Sequence, residues 1–339
     1  MAFVSGFALS HRGPVILAAL LALAAAPALA GLTVPGAAAQ IGDCPVFPAD
    51  NIWNRPVTDL PVDPMSDQYV KSIGATKSLH PDFGAALDAG APVGIPFVTV
   101  PAGQPKVDVL LKGFADEPDA FADEIDAGPA PIPADAPVEA GLASQGDRHV
   151  IVVQQQSCTL YELYKAVPNP DGSWNAVAIV RFDLLGNELR PDGWTSTDAA
   201  GLPVFPGLVR YDEVAAGAIN HALRFTVPKS RNAHVWPARH AASSSNDPGL
   251  PPMGQRFRLK GDVDLTGFSP ENRVILRALQ TYGMIVADNG APWFLSGAPD
   301  PRWNDEVLQG ELRQLRGVDF EAVDVSGLMV NSDSAAFGN

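Results

Sequence analysis

Short apolar runs separated by glycine and proline follow one another along most of the chain. Several of these runs alternate apolar and polar residues or consist of β-branched residues, both typical of strands. They predict strands at residues 97–100, 107–111, 149–155, 159–166, 174–184, 224–227, 256–260, 284–287 and 293–295. The Asn289-Gly290 pair between the last two strands predicts a tight hairpin turn.

Two segments have the apolar spacing of helices. One begins at the N-cap Ser269, has Pro270 in its first turn and runs to Gly283. The other covers residues 212–223. We expect a mainly β fold, a β-sandwich or jelly-roll-like arrangement with a few packed helices, and an α+β fold is the alternative.

The first forty residues have the pattern of an export signal. Basic residues precede an alanine-rich apolar run, and small residues follow it at positions 28–30 and again at 37–39. We predict a signal peptide over residues 1–30, with cleavage as late as residue 39, one secreted domain over 41–328 and a tail over 329–339. No later apolar run reaches spanning length, so we expect a secreted or periplasmic protein without membrane insertion after cleavage.

The net charge bears on which partners the protein can bind, and the cysteine count bears on whether it contains a disulfide. The formal charge is −15 and becomes −16 when the leader with its single Arg is removed, which argues against nucleic acid as a partner. Two cysteines in an exported chain, Cys44 and Cys158, predict a disulfide. We expect a monomer. With 31 Gly and 32 Pro, the chain favours short elements joined by many turns.

The histidines that follow the leader lie in short polar patches. Imidazole titrates near neutral pH, so these patches predict a shared site. They are His80 with Asp82, the triplet Asp147-Arg148-His149, His221 near the end of its predicted helix, and His234 and His240 on either side of Trp236-Pro237.

The triplet enters the apolar run that begins at residue 150, and alternation puts Asp147 and His149 on one face of that strand and Arg148 on the other. The next predicted strand, joined by a turn at residues 156–158, carries Glu162 between apolar neighbours. We predict Glu162 and His149 as an acid/base pair on one sheet face. The structural alternatives are that the Asp147-Arg148-His149 triplet forms a salt bridge at the start of the strand, with a structural histidine, and that Glu162 lies on a solvated sheet face.

Metal binding is an open alternative. His234 and His240 would need a third ligand, for which Asp247, His80 or His149 are candidates by type, and their spacing matches no zinc pattern. The stretch from residue 113 to 147 has many acids and no base, which predicts a solvated loop, with a calcium site as the alternative. We predict no cofactor and no metal ligands, with Ca²⁺ as the exception to test.

Tryptophans beside turn residues can stack on sugar ligands, although tryptophans in loops are more often buried side chains that anchor the loop. The predicted substrate-binding residues are His80, Asp82, Arg148, Trp194, Trp236, Arg239 and Asp288.

Several distinctive motifs spread over residues 44–290 resemble a family of exported bacterial and fungal proteins. They are CPVFPADNIWN at 44–54, HPDFG at 80–84, DRHV at 147–150, GWTSTDAAGLP at 193–203, GLVRYDE at 207–213 and ADNG at 287–290. The resemblance implies one secreted domain and implies no particular chemistry. Relatives described as nucleotide-binding would need a phosphate loop, and the chain has no Gly-Lys pair to form one.

The leading hypothesis is a secreted carbohydrate-active enzyme that cleaves a polysaccharide. Hydrolysis would use Glu162 with Asp147, Asp82 or Asp288. Elimination would use His149 or His234 as the base, Tyr161 as the acid and Arg148 or Arg239 to neutralise a uronate. The alternatives are a non-catalytic glycan-binding or envelope-associated protein and a metal-dependent hydrolase with His234 and His240. The predicted catalytic residues are His149, Glu162, Asp147, His234 and His240.

Overall fold

Strands dominate the computed structural model, which describes residues 39–88, 90–113, 123–126 and 128–338. The predicted signal peptide lies outside the described residues. The described strands are β1 (Gln40–Ile41), β2 (Cys44–Pro45), β3 (His80–Asp82), β4 (Leu87–Asp88), β5 (Ala91–Pro92), β6 (Phe97–Val100), β7 (Val109–Leu111), β8 (Val150–Gln154), β9 (Thr159–Tyr164), β10 (Val167–Pro168), β11 (Trp174–Ala176), β12 (Ala178–Asp183), β13 (Leu223–Val227), β14 (Arg256–Leu259), β15 (Met284–Asn289), β16 (Phe294–Ser296) and β17 (Phe320–Val323). The described α-helices are α1 (Ser66–Ile73), α2 (Tyr211–Ala216), α3 (Pro270–Thr281) and α4 (Asp305–Leu312).

Two mixed sheets form the centre of the fold. The larger has six strands in the order β17-β14-β15-β13-β16-β3, and the other has four in the order β12-β9-β8-β6. A three-stranded sheet, β10-β11-β7, and the pairs β1-β2 and β4-β5 complete the described strands. The prediction of a mainly β fold with a few helices is therefore confirmed.

Alternation along β13 separates a polar face of the larger sheet from an apolar one. Phe225 is fully buried against Phe257 and Trp293, and Trp293 stacks on Phe320. Successive side chains of a strand point to opposite faces, so Arg224 lies on the other side of the sheet from this aromatic cluster.

The β8-β9 hairpin confirms the strand pair predicted from residues 149–166. Its register pairs Ile151 with Glu162 and Gln154 with Thr159. All five residues of β8 are buried, because both faces of this sheet are covered. Ile151 belongs to the main hydrophobic core, and Val152 belongs to a smaller core formed with β7 and β11.

The predicted disulfide is present between Cys44 and Cys158, whose Cα atoms are 5.3 Å apart. It ties the N-terminal β2 to the turn of the β8-β9 hairpin. Closing a loop between residues separated by 114 positions contributes roughly 4 to 5 kcal/mol in the chain-entropy model.

The helices follow the predictions in part. The Ser269 hydroxyl accepts a hydrogen bond from the backbone N–H of Asn272, so α3 begins at the predicted cap. The helix predicted over 212–223 is shorter, because Gly217 adopts the left-handed conformation that ends α2. Sequence patterning did not predict α1 or α4.

The hairpin predicted at Asn289-Gly290 is wrong. β15 ends at Asn289 and β16 follows from Phe294, but β13 lies between them and pairs with both, in parallel with β15 and antiparallel with β16. The turn sequence therefore joins two strands that are not neighbours in the sheet.

The C-terminal residues pack onto the rest of the chain. Ala335 is buried in the main core, and Ser334 and Ala336 form bridges with Glu188 and Asn51. In the part of the chain that the structure describes, no helix combines the length and the apolar character that crossing a membrane requires.

Candidate active site

A polar cavity of about 320 Å³ lies on the polar face of the larger sheet. Its volume is at the lower end of the range found for small-molecule sites. Exposed residues, among them Asp88 and Asp147, form its rim, and the buried Arg224 and Ser296 form its floor. The lining side chains that carry chemistry are Asp82, Asp88, Glu139, Asp147, His149, Arg224, Thr226, Asp288, Asn289 and Ser296.

A β-bulge brings Asp288 into the cavity. The register between β13 and β15 pairs Phe225 with Val286 but Thr226 with Asp288, so one extra residue stands on the β15 side. Without the bulge, the Asp288 side chain would lie on the same apolar face as Val286, since side chains alternate along a strand. The bulge instead turns Asp288 toward the face of Thr226 and Arg224.

Among the described residues, Arg224 is the only one that brings a guanidinium to the lining. Its Nε donates to Asp198 Oδ2 at 3.1 Å, and its Nη1 donates to Ser296 Oγ at 2.7 Å. Burial opposes the charge of Arg224, but the carboxylates of Asp198, Asp288 and Glu139 outweigh burial and raise its pKa. Arg224 is therefore a fixed positive charge at the floor.

Asp288 is a carboxyl group that is about half protonated at pH 7. Burial and, next, the charge of Asp198 raise its pKa to about 7, and Arg224 opposes this rise without cancelling it. Its Oδ1 accepts the backbone N–H of Asn289 at 2.6 Å. A group that can give up a proton at neutral pH, placed in a cavity, has the property required of a general acid.

His149 and Glu139 also line the cavity. Nε2 of His149 is 4.0 Å from Oε2 of Glu139, and the same oxygen accepts the backbone N–H of His149 at 3.2 Å. Burial raises the pKa of Glu139. Nδ1 of His149 is buried and has no hydrogen-bond partner among the described residues.

His80 and Asp82 lie on the same sheet face, through β3. The His80 ring stacks on Phe294 at 3.9 Å, and its Nδ1 accepts from Arg313 at 2.8 Å. Burial, helped by Arg313, lowers the pKa of His80 to about 4, so this imidazole is neutral at neutral pH. Asp82 lines the cavity and His80 does not.

Glu162 pairs with Ile151, two residues after His149, in the β8-β9 register and does not line the cavity. It is fully buried, and burial raises its pKa. Its oxygens accept from the Thr197 hydroxyl at 2.8 Å and from the backbone N–H groups of Val204 and Phe205 at 3.0 and 2.8 Å. Glu162 therefore holds the segment that carries Asp198, the partner of Arg224.

Arg148 does not line the cavity and instead hydrogen-bonds to nearby backbone carbonyls. Its guanidinium donates to the carbonyls of Leu142 at 2.7 Å and Ser144 at 2.9 Å, and to Ala166 at 2.9 Å. The neighbouring Asp147 lines the cavity, and the Tyr164 hydroxyl donates to its Oδ1 at 3.5 Å.

The patch from His234 to His240 packs against other parts of the chain and does not line the cavity. Nε2 of His234 is 2.9 Å from Asp192, and Nδ1 of His240 is 2.9 Å from the carbonyl of Ala199. Arg239 pairs with Asp333 at 2.8 Å, so this patch mainly fastens the C-terminal segment.

The tryptophans lie outside the cavity lining. Trp53, Trp174, Trp293 and Trp303 are buried. Trp194 and Trp236 are partly exposed. Arg190 lies over the ring of Trp194, and the indole N–H of Trp236 donates to the carbonyl of Ser334.

His221 is a buried hydrogen-bonded residue beyond the end of α2. Its Nδ1 is 2.7 Å from the Ala222 carbonyl, and its Nε2 lies 3.0 Å from Arg210 and 3.2 Å from Glu213.

The acidic stretch is only partly described, since residues 114–122 lie outside the described part. Of its described acids, Asp126 pairs with Arg190 at 3.3 Å, Glu124 accepts the backbone N–H of Thr195 at 2.8 Å, and Glu139 reaches the cavity. The described residues contain no cluster of three or more His, Cys, Asp or Glu side chains that could hold a metal ion.

Sequence patterning missed Arg224, Glu139 and Asp198. A charged residue in the middle of an apolar strand is a usable signal, and Arg224 in Leu223–Val227 has it, as Glu162 does in its own strand. Glu139 and Asp198 lie in irregular segments, where no periodicity distinguishes them from solvated acids.

Comparison of the chain with protein-family models, with curated proteins and with solved structures finds no match.

Proposed function

We propose that this protein is an exported glycoside hydrolase that cleaves a neutral polysaccharide at the polar cavity. The observation that carries the proposal is the Asp288 carboxyl, which a β-bulge turns into a cavity that holds further carboxyl groups, and whose pKa is raised to about 7 there. Pairs of carboxyl groups with different protonation are the usual equipment for glycoside hydrolysis.

In the proposed reaction, Asp288 donates its proton to the glycosidic oxygen as the bond from that oxygen to the anomeric carbon breaks. Water attacks the anomeric carbon, and a carboxylate at the rim, Asp147 or Asp82, takes the proton that this water loses. Arg224 and His149 hydrogen-bond to sugar hydroxyls. The products are a new reducing end and an alcohol, and water is the only co-reactant.

The charge of the cavity favours hydrolysis of a neutral sugar over elimination from a uronate. In the described part of the chain, five carboxyl groups and one guanidinium line it, and that guanidinium is already paired with Asp198. A uronate carboxylate would therefore meet mostly like charge. The arginines first considered for a uronate, Arg148 and Arg239, are engaged elsewhere.

Export is part of the proposal. The leader pattern predicts it, and the disulfide between Cys44 and Cys158 supports it, because such bonds persist mainly in oxidising compartments.

The test compares wild type with Asp288→Asn and, as a control, Asp262→Asn, which changes an exposed acid that lines no described cavity. Each protein is incubated with a panel of neutral and uronate polysaccharides, and both reducing ends and unsaturated products are measured. We expect reducing ends from a neutral polysaccharide, a loss of at least about 100-fold in Asp288→Asn, and wild-type activity in the control.

Three outcomes would contradict the proposal. One is cleavage of no polysaccharide by the wild type, as a binding protein would behave. Another is full activity of Asp288→Asn. The third is an unsaturated product from a uronate polymer, which would indicate elimination.

A further inference from the structure

A second cavity of about 220 Å³ adjoins the first. Two chain segments, residues 92–97 and 296–299, contribute lining residues to both cavities. Residues 92–95 face the first cavity and 96–97 the second, and Ser296 faces the first while Ala298 and Pro299 face the second. The backbone hydrogen bond from Ile95 to the Gly297 carbonyl, 3.0 Å long, holds the two segments together between the cavities.

The wall between the cavities is thin because Gly94 forms part of it. Its φ of +120° is in a region that glycine favours, and a Cβ there would lie 2.7 Å from the Gly297 carbonyl oxygen and 3.1 Å from Pro299. Gly94 lines the first cavity and Pro299 the second, so residues in close approach to each other line the two cavities.

The second cavity has the surface of a sugar site. The rings of Pro96, Phe97, Tyr211 and Pro299 give it apolar walls. The charged side chains of Arg210, Asp212 and Asp300 also line it. The Tyr211 hydroxyl makes no hydrogen bond within the described residues, so it is available to a ligand. Apolar walls with a few polar groups suit a sugar ring, which has an apolar face and a hydroxyl rim.

Tyr211 is held in place before any ligand arrives. The Arg302 guanidinium lies 4.4 Å from the ring centre, and Trp303 packs against the ring at 4.7 Å. Asp300 and Asp212 hold Arg302 at 2.6 and 2.7 Å. A side chain fixed in this way loses little conformational freedom on binding.

We propose that the second cavity is a subsite that binds the next sugar unit of the polymer whose bond is cleaved in the first cavity. This proposal rests on the proposed glycoside hydrolase function. It places the sugar unit next to the cleaved bond in the second cavity.

The test measures kcat/KM on a chain-length series of the glycan that the wild type cleaves. Tyr211→Ala removes one wall, Tyr211→Phe removes only the hydroxyl, and Tyr282→Phe is the control at a tyrosine that lines neither cavity. We expect wild-type kcat/KM to rise with length until the subsite is filled, and Tyr211→Ala to remove that rise. Tyr211→Phe should reduce it about 2- to 10-fold, the effect of one uncharged hydrogen bond. The shortest substrate should change less than about twofold.

Equal losses on short and long substrates, or no loss on either, would overturn the subsite. Because Tyr211→Phe keeps the ring and its packing, it decides the question if Tyr211→Ala does not fold. If Asp288→Asn is inactive while the Tyr211 variants keep the full length dependence, only the subsite is wrong. If no polysaccharide is cleaved or Asp288→Asn is active, the proposed function fails and the subsite fails with it.

Discussion

Replacing Asp288 by Asn should stabilise the protein at high pH while it removes activity. Asp288 has a folded-state pKa of about 7 against an ordinary value of 3.8. Between these two pH values the folded state binds the proton that the unfolded state releases, so stability falls as the pH rises through this window. Below about pH 4 the carboxyl is protonated in both states and the penalty disappears.

The magnitude follows from the size of the window. A rise from 3.8 to about 7 corresponds to about 4 kcal/mol, at ~1.4 kcal/mol for each tenfold change in the protonation equilibrium. Asn has the shape of the neutral acid and can still accept the backbone N–H of Asn289. We therefore expect Asp288→Asn and wild type to be about equally stable near pH 4, and the variant to be more stable by up to about 4 kcal/mol near pH 8.

Urea unfolding at several pH values, under conditions that keep the disulfide oxidised, measures this difference. The exposed Asp262→Asn should change stability by less than about 0.5 kcal/mol at every pH. A stability difference between Asp288→Asn and wild type that does not change with pH would refute the reasoning. So would a variant that is less stable than wild type near pH 8.

Three further predictions concern the groups that hold the site together. Replacing both Cys44 and Cys158 by Ala should lower the free energy of unfolding by roughly 4 to 5 kcal/mol, and a loss below about 1 kcal/mol in urea unfolding would contradict the loop-closure argument. Arg224→Ala should lower the free energy of unfolding by about 3 to 5 kcal/mol, because it leaves the Asp198 charge buried and unpaired. The double variant with Asp198→Asn should recover part of that loss, and no recovery would show that the pair does not interact. Glu162→Gln should lower stability by about 1 to 3 kcal/mol, since an amide presents only one accepting oxygen, and unchanged thermal unfolding would contradict its anchoring role.

Local patterns predicted the elements that depend on neighbouring residues. The β8-β9 hairpin follows from alternation in two adjacent runs, and α3 follows from its Ser269 cap and apolar spacing. The Asn289-Gly290 turn failed as a hairpin signal because β13, far away in sequence, inserts between the two strands. Turn chemistry fixes only a local bend and does not determine which strands pair.

Local sequence also predicted only part of the lining of the candidate site. His149, Asp147, Asp82 and Asp288 were chosen by residue type, and all four line the cavity. The chemistry of Asp288 depends on a bulge and on two charges from other segments, which no local pattern shows. His234 was chosen by the same criterion as His149, but its neighbours in space belong to another part of the fold.

The pH dependence of kcat/KM on the cleaved glycan tests the central claim most directly. If Asp288 gives its proton to the leaving group, kcat/KM must fall as the pH rises through about 7, approaching a tenfold loss for each further pH unit. A kcat/KM that stays constant from about pH 6 to pH 9 would contradict the assignment of Asp288 as the acid.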